Sequence, residues 1–181
     1  MPSRLYLYVR LALAALLLPT LAACGPRTNE FAPLCPEPGF LQGLADLVRY
    51  RPGSTGRDLT DITLRGRLAS IRGECQAGSE PGLLDTTLVV TMDLIRGPAL
   101  ENPTVIVPVF VYVGRGQNIL NKQVFPIQVT FPSNVDRMTV ATPPIVMAVP
   151  VSGAGAGAGY DIIAGFQLTP EELQNNRLRG F

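Results

Sequence analysis

The sequence predicts an all-β protein: an antiparallel β-sandwich of the immunoglobulin-like kind with a short C-terminal helix. Three observations carry this expectation. From residue 62 to residue 168 apolar residues recur with period two in β-branched segments, the pattern of half-buried strands. Turn formers are dense and spread along the chain, 18 Gly and 17 Pro in 181 residues, which leaves little room for long helices. Hydrophobic residues make up 46% against 16% charged, enough for a packed core and too apolar for a disordered chain.

The elements follow in order. Turn residues come often after Cys35, at Pro36, Pro38-Gly39, Pro52-Gly53 and Gly56. Residues 39–50 fit either a helix or a strand: Leu41, Leu44 and Leu47 have helical spacing, and Gly39 and Gly43 weaken it. Ile62, Leu64, Gly66 and Leu68 then point one way, with Thr63, Arg65 and Arg67 pointing the other. In Leu84–Ile95, Leu88, Val90, Met92 and Leu94 alternate with Thr87, Val89, Thr91 and Asp93. Arg96-Gly97-Pro98 reads as a turn. Val105–Val113 is apolar on both faces, so it is expected to be a central strand, its Phe110 and Tyr112 face buried under the C-terminal helix. Gly114–Asn118 is a hairpin loop into a strand over Ile119–Phe131. Strands over Met138–Val149 and Tyr160–Leu168 complete six or seven. Pro108 and Pro126 fall inside strand-like runs and belong at edges or bulges, because proline cannot donate to the ladder.

One helix is well marked. Thr169-Pro170-Glu171-Glu172 supplies an N-cap, a proline at N1 and a glutamate at N3 for a capping box, with Leu168 and Leu173 placed as a hydrophobic staple. The helix should run from about Pro170 to Arg177. Ahead of it, the Gly/Ala run Ser152–Gly159 reads as a flexible loop. It lacks the spacing of a dinucleotide fingerprint or a P-loop.

Residues 1–23 are an address rather than part of the fold. Arg4 and Arg10 are the only charges before Cys24, and Leu11–Ala23 is thirteen apolar or small residues broken by Pro19 and Thr20. That is too short to span a bilayer. The run ends in Leu21-Ala22-Ala23-Cys24, which resembles the lipobox of bacterial lipoproteins. The resemblance implies that the Cys24 thiol takes a diacylglyceryl group and becomes the acylated first residue of the mature chain. Each buried CH2 of such a chain contributes about 0.8 kcal/mol to anchoring. Gly25, rather than Asp, follows the cysteine, which by the sorting rules of enterobacteria favours the outer membrane. The expected organisation is a signal peptide over 1–23, a lipidated tether over 24–34 and a single sandwich domain over 35–181.

Charge agrees with a lipid anchor. The whole chain carries +1, which offers nothing to nucleic acid. Without Arg4 and Arg10 the remainder holds 13 basic against 14 acidic residues, so polybasic attraction to headgroups is unsupported. With Cys24 lipidated, Cys35 and Cys75 form an even pair in an oxidising compartment, and a structural disulfide is expected. The alternatives are two free thiols or a metal site. Without histidine or a third nearby cysteine, zinc lacks ligands.

Chemistry is sparse. No histidine exists to activate a serine nucleophile, and no metal or cofactor signature is present. The most polar stretch is Arg51–Asp61. Asp58 and Asp61 could act as an acid–base pair, with Arg51 and Arg57 binding an anion. Two aspartates three apart in a turn-rich segment more often make Asx-turns and surface ion pairs, and that reading is favoured.

Several fragments together resemble uncharacterised envelope lipoproteins of alphaproteobacteria: Cys35-Pro36, Gly56–Asp61, Arg96-Gly97-Pro98 and Gly165–Leu173. Fourteen arginines to one lysine, Lys122, fit a GC-rich genome. The resemblance implies a small lipid-anchored periplasmic domain and no particular activity. The expectation is therefore a non-enzymatic lipoprotein without cofactor, held to the membrane by lipid on Cys24. It would face the periplasm and bind an envelope protein in assembly or secretion. A glycan- or lipid-acting enzyme and a small-ligand carrier are the alternatives.

Overall fold

The alternation in the middle of the chain becomes two facing strands. β4 (Leu83–Arg96) turns Leu88, Val90, Met92 and Leu94 inward, and all four are fully buried. β5 (Thr104–Arg115) does the same with Val107, Val109, Val111 and Val113. The two rows belong to different sheets and meet in one hydrophobic cluster. The structure, a computed structural model, describes residues 34–54, 57–152 and 156–180. The signal segment, Cys24 and the tether up to residue 33 lie outside these residues, as do Thr55-Gly56 and part of the Gly/Ala run.

The described residues form an all-β sandwich with a short C-terminal helix, the architecture that the sequence predicts. One sheet has the order β1 (Pro38–Phe40), β9 (Asp161–Phe166), β5, β6 (Asn118–Thr130). The other runs β2 (Asp46–Tyr50), β3 (Ile62–Ala77), β4, and then β7 (Arg137–Ala141) and β8 (Ile145–Pro150), which both pair with β4. All these pairs are antiparallel except β1 with β9, which is parallel.

Among the described residues there are nine strands where six or seven were expected, for local reasons. Residues 39–50 form no single element. A turn after Phe40 carries the chain from one sheet into the other, leaving a short strand on each side. Met138–Val149 is interrupted at Thr142-Pro143-Pro144, where two residues lack a donor. Thr142 repairs the ladder there. Its N–H donates to Val90 O (2.9 Å), and its hydroxyl accepts from Val90 N–H (3.1 Å) in place of a carbonyl. β3 runs past Leu68 to Ala77 because a register shift between Leu68 and Ser70 lets pairing with β4 continue. The hairpin between β5 and β6 tightens to two turn residues, Gly116 and Gln117, flanked by the Arg115–Asn118 pair.

Pro108 and Pro126 sit directly opposite each other. Pro126 lies on β6, an edge strand, as proline requires. Pro108 lies on interior β5, yet its carbonyl accepts from Gln167 N–H (2.8 Å) while its own nitrogen returns nothing. The ladder between β5 and β9 therefore ends at Phe166, and the chain is released into the helix.

α1 (Pro170–Arg179) begins as expected and runs two residues further. The Thr169 hydroxyl accepts from Glu172 N–H (3.2 Å), the Glu172 carboxylate accepts from Thr169 N–H (2.8 Å), and Gly180 closes the C-terminus. Its buried residues are polar: Glu172, Asn175 and Asn176. Arg49 of β2 pairs with Glu172 at 2.9 Å and also donates to Ile106 O of β5 at 3.1 Å, which links helix and both sheets. The Asn176 amide donates to Gly43 O (2.9 Å) and Asp46 O (2.7 Å). The helix thus covers the β2 edge, where bare carbonyls would otherwise invite another strand.

Because α1 packs on β2, the outer face of β5 is not buried beneath it as expected. Phe110 is buried instead across Gly165, where a Cβ would lie 2.5 Å from its ring, and under Lys122, whose ammonium stands 4.6 Å from the ring centroid. Ile106 stays exposed.

Strand directions define two poles. Cys35, Cys75, the 78–82 and 116–117 turns and residues 151–152 and 156–160 gather at one. Residues 51–54, 57–61, 97–103 and 131–136 gather at the other.

Candidate functional site

At the first pole Cys35 and Cys75 form the expected disulfide, their Cα atoms 5.7 Å apart. Cys35 precedes β1 in one sheet and Cys75 lies near the end of β3 in the other, so the bridge joins the two sheets. Just before it, the Leu34 carbonyl runs against Gly157, so closely that a Cβ on Gly157 would lie 1.8 Å from the oxygen. This is a packing reason for a small residue within the Gly/Ala run. Leu34, the first described residue, therefore lies at this pole. Cys24 itself lies outside the described residues.

The predicted polar stretch sits at the opposite pole and is used locally. Asp58 caps a 3-10 turn over Leu59–Asp61, its carboxylate accepting from Leu59 N–H at 2.5 Å. Asp61 pairs with Arg51 at 2.8 Å. Hydrogen bonds from Ser54 and Arg51 hold the Asp61 carboxyl below its ordinary value. Arg51 N–H also donates to Asp61 O (2.9 Å), which closes the loop. Arg57 is exposed. Asp61 makes a surface ion pair of the kind favoured from sequence, whereas Asp58 bonds the next residue as the cap of a 3-10 turn and closes no Asx-turn. Neither lines the adjacent groove of about 340 Å³, formed by Leu59, Ile62, Arg65, Ile95 and Pro98 with their neighbours.

That groove is half of a larger cleft. Arg65 and Ile95 also line a second groove of about 360 Å³ on the outer face of the β2–β3–β4–β7 sheet. Cross-strand register explains its composition. One row reads Val48, Arg65, Ile95, Arg137 across the four strands, and the next reads Asp46, Arg67, Asp93, Thr139. In the second row Arg67 pairs with Asp46 at 3.2 Å, while Asp93 keeps its charge and accepts a hydrogen bond from the Thr139 hydroxyl at 2.6 Å. The first row has no carboxylate. Among the described residues neither Arg65 nor Arg137 has an ion-pair partner. Arg179 of α1 borders the same groove and lies over the Tyr50 ring at 5.9 Å.

The cleft was only half visible in the sequence. Arg65 and Arg67 stand out as the polar face of an alternating strand. Arg137 and Arg179 have no local signal, because β4–β7 pairing and the helix on β2 bring them in.

No protein-family model matches the chain, and neither a curated protein nor a solved structure matches it.

Proposed function

We propose that the protein is a lipid-anchored envelope lipoprotein that acts by binding another protein, without catalysis. In this reading residues 1–23 are removed and Cys24 carries the lipid. The sandwich stands at the periplasmic face, preferentially of the outer membrane. The observation that carries the reading is the Leu21-Ala22-Ala23-Cys24 sequence ahead of a sandwich closed by Cys35–Cys75. Such a bridge belongs to an oxidising compartment. Two further facts support it. Asp58 and Asp61, the one carboxylate pair considered for acid–base work, are engaged in capping and an ion pair. An open cleft runs over Arg65 and Ile95, at the pole opposite the disulfide, and gives a second protein a place to dock.

The test is in-cell crosslinking of the lipidated chain, detergent extraction and mass spectrometry. One stoichiometric envelope partner is expected. A chain recovered alone, at crosslinker doses that capture known neighbours in the same cells, would overturn the binding role.

A further inference from the structure

We propose that the cleft over Arg65, Ile95 and Arg137 binds a polypeptide segment that carries carboxylates beside aliphatic side chains. This rests on the reading of the chain as an anchored, protein-binding lipoprotein, and it specifies the chemistry of the partner.

The argument is one of complementarity. Arg65 and Arg137 stand in the same cross-strand row with Ile95 between them, their backbones about 10 Å apart across two strand spacings. The neighbouring row holds two aspartates against one arginine, so the groove carries Arg65, Arg67, Arg137 and Arg179 against Asp46 and Asp93, and its positive surplus lies in the row of Arg65 and Arg137 and at Arg179. Guanidinium groups present planar forks that match carboxylates, and an anion brought here meets no competing acid in the row. The same Arg65 and Ile95 continue into the groove walled by Leu59, Ile62 and Pro98, whose lining is predominantly apolar. A ligand that fills both halves must be anionic at one end and aliphatic at the other. The cleft is open along the sheet face and placed towards the pole opposite the disulfide. Its lining spaces several separate groups along the sheet, Arg137, Ile95 and Arg65 and then Leu59, Ile62 and Pro98, which suits a polypeptide with side chains at intervals better than a lipid with a single headgroup.

The test uses the full chain in phosphatidylcholine nanodiscs and fluorescence anisotropy of labelled ten-residue peptides alternating glutamate with leucine. Glutamine–leucine and lysine–leucine peptides are the comparisons, and oleate is the lipid probe. The glutamate peptide is expected to bind. Arg65→Gln combined with Arg137→Gln should weaken it about tenfold or more, with the thermal midpoint unchanged. Arg72→Gln, on the far half of β3, should leave the affinity unaltered. Raising NaCl from about 0.05 to about 0.5 M should weaken binding as well. Should the double variant prove unstable, Ile95→Glu gives the same readout by placing an acid between the two arginines. Three results would overturn the proposal: equal binding of the glutamine peptide, unchanged affinity in the arginine variant, or arginine-dependent binding of oleate with none of the peptide. Peptide binding needs no acylation, so a chain that binds the peptide yet is never lipidated would refute the anchoring and leave the cleft assignment standing.

Discussion

Asn176 is the sharpest probe of how the sandwich is closed. It is fully buried, and its amide nitrogen donates to two carbonyls, Gly43 O at 2.9 Å and Asp46 O at 2.7 Å. Its own Oδ1 has no hydrogen-bond partner among the described residues. Truncation to alanine therefore removes two hydrogen bonds and gives up nothing at the oxygen. Each bond contributes about 1 kcal/mol net, and the small void adds about 1 kcal/mol, so Asn176→Ala should cost about 3 kcal/mol. For a domain of this size that lowers Tm by about 9 °C. Asn176→Asp keeps the shape but turns carboxylate oxygens towards the two carbonyls, and it should cost more. The assay is urea unfolding of the full chain in mild detergent, followed by far-UV circular dichroism, with amide exchange across Asp46–Tyr50 as the local readout. A loss below about 1 kcal/mol, or β2 amides protected as before, would refute the claim that these bonds hold the helix on the edge.

Three other outcomes are expected. Replacing both Cys35 and Cys75 by alanine opens a loop with a sequence separation of 40 and should cost about 4 kcal/mol, read as a lower urea midpoint of the non-reduced protein. Thr142→Val preserves volume but leaves the buried Val90 N–H without an acceptor, so about 1–3 kcal/mol should be lost in the same assay. Asp61 has a folded value depressed below its ordinary 3.8, so its contribution is present above that pH and lost as pH falls through the lower folded value. The stability gap between wild type and Asp61→Asn should accordingly close in acid. A gap that persists at pH about 2 would show that the Ser54 and Arg51 contacts are not its source.

What the sequence disclosed was governed by period two. Leu88, Val90, Met92 and Leu94 could be assigned to one inner face because each strand position dictates the next. The capping box of α1 was equally legible, since Thr169 and Glu172 are three residues apart. The helix's buried face was not. Glu172, Asn175 and Asn176 look like a solvent face; Glu172 and Asn176 are inside because they answer Arg49 and the carbonyls of Gly43 and Asp46, while Asn175 is buried with no hydrogen-bond partner for its side-chain oxygen among the described residues. The break in the strand over 138–149 had a local cue in Pro143-Pro144, whereas the hydroxyl of Thr142 standing in for a carbonyl depends on Val90, 52 residues earlier. The cleft was hidden for the same reason: the row from Val48 to Arg137 exists only once four strands are in register.

The central claim is that the sandwich is tethered through lipid on Cys24. Intact-mass and N-terminal peptide mass spectrometry of the full chain, expressed in a Gram-negative bacterium and extracted from its envelope, tests it most directly. The account predicts a mature chain that begins at Cys24 with two or three acyl chains attached, and an unprocessed precursor for Cys24→Ser. A chain that keeps residues 1–23, or one cleaved elsewhere and released without lipid, would contradict it.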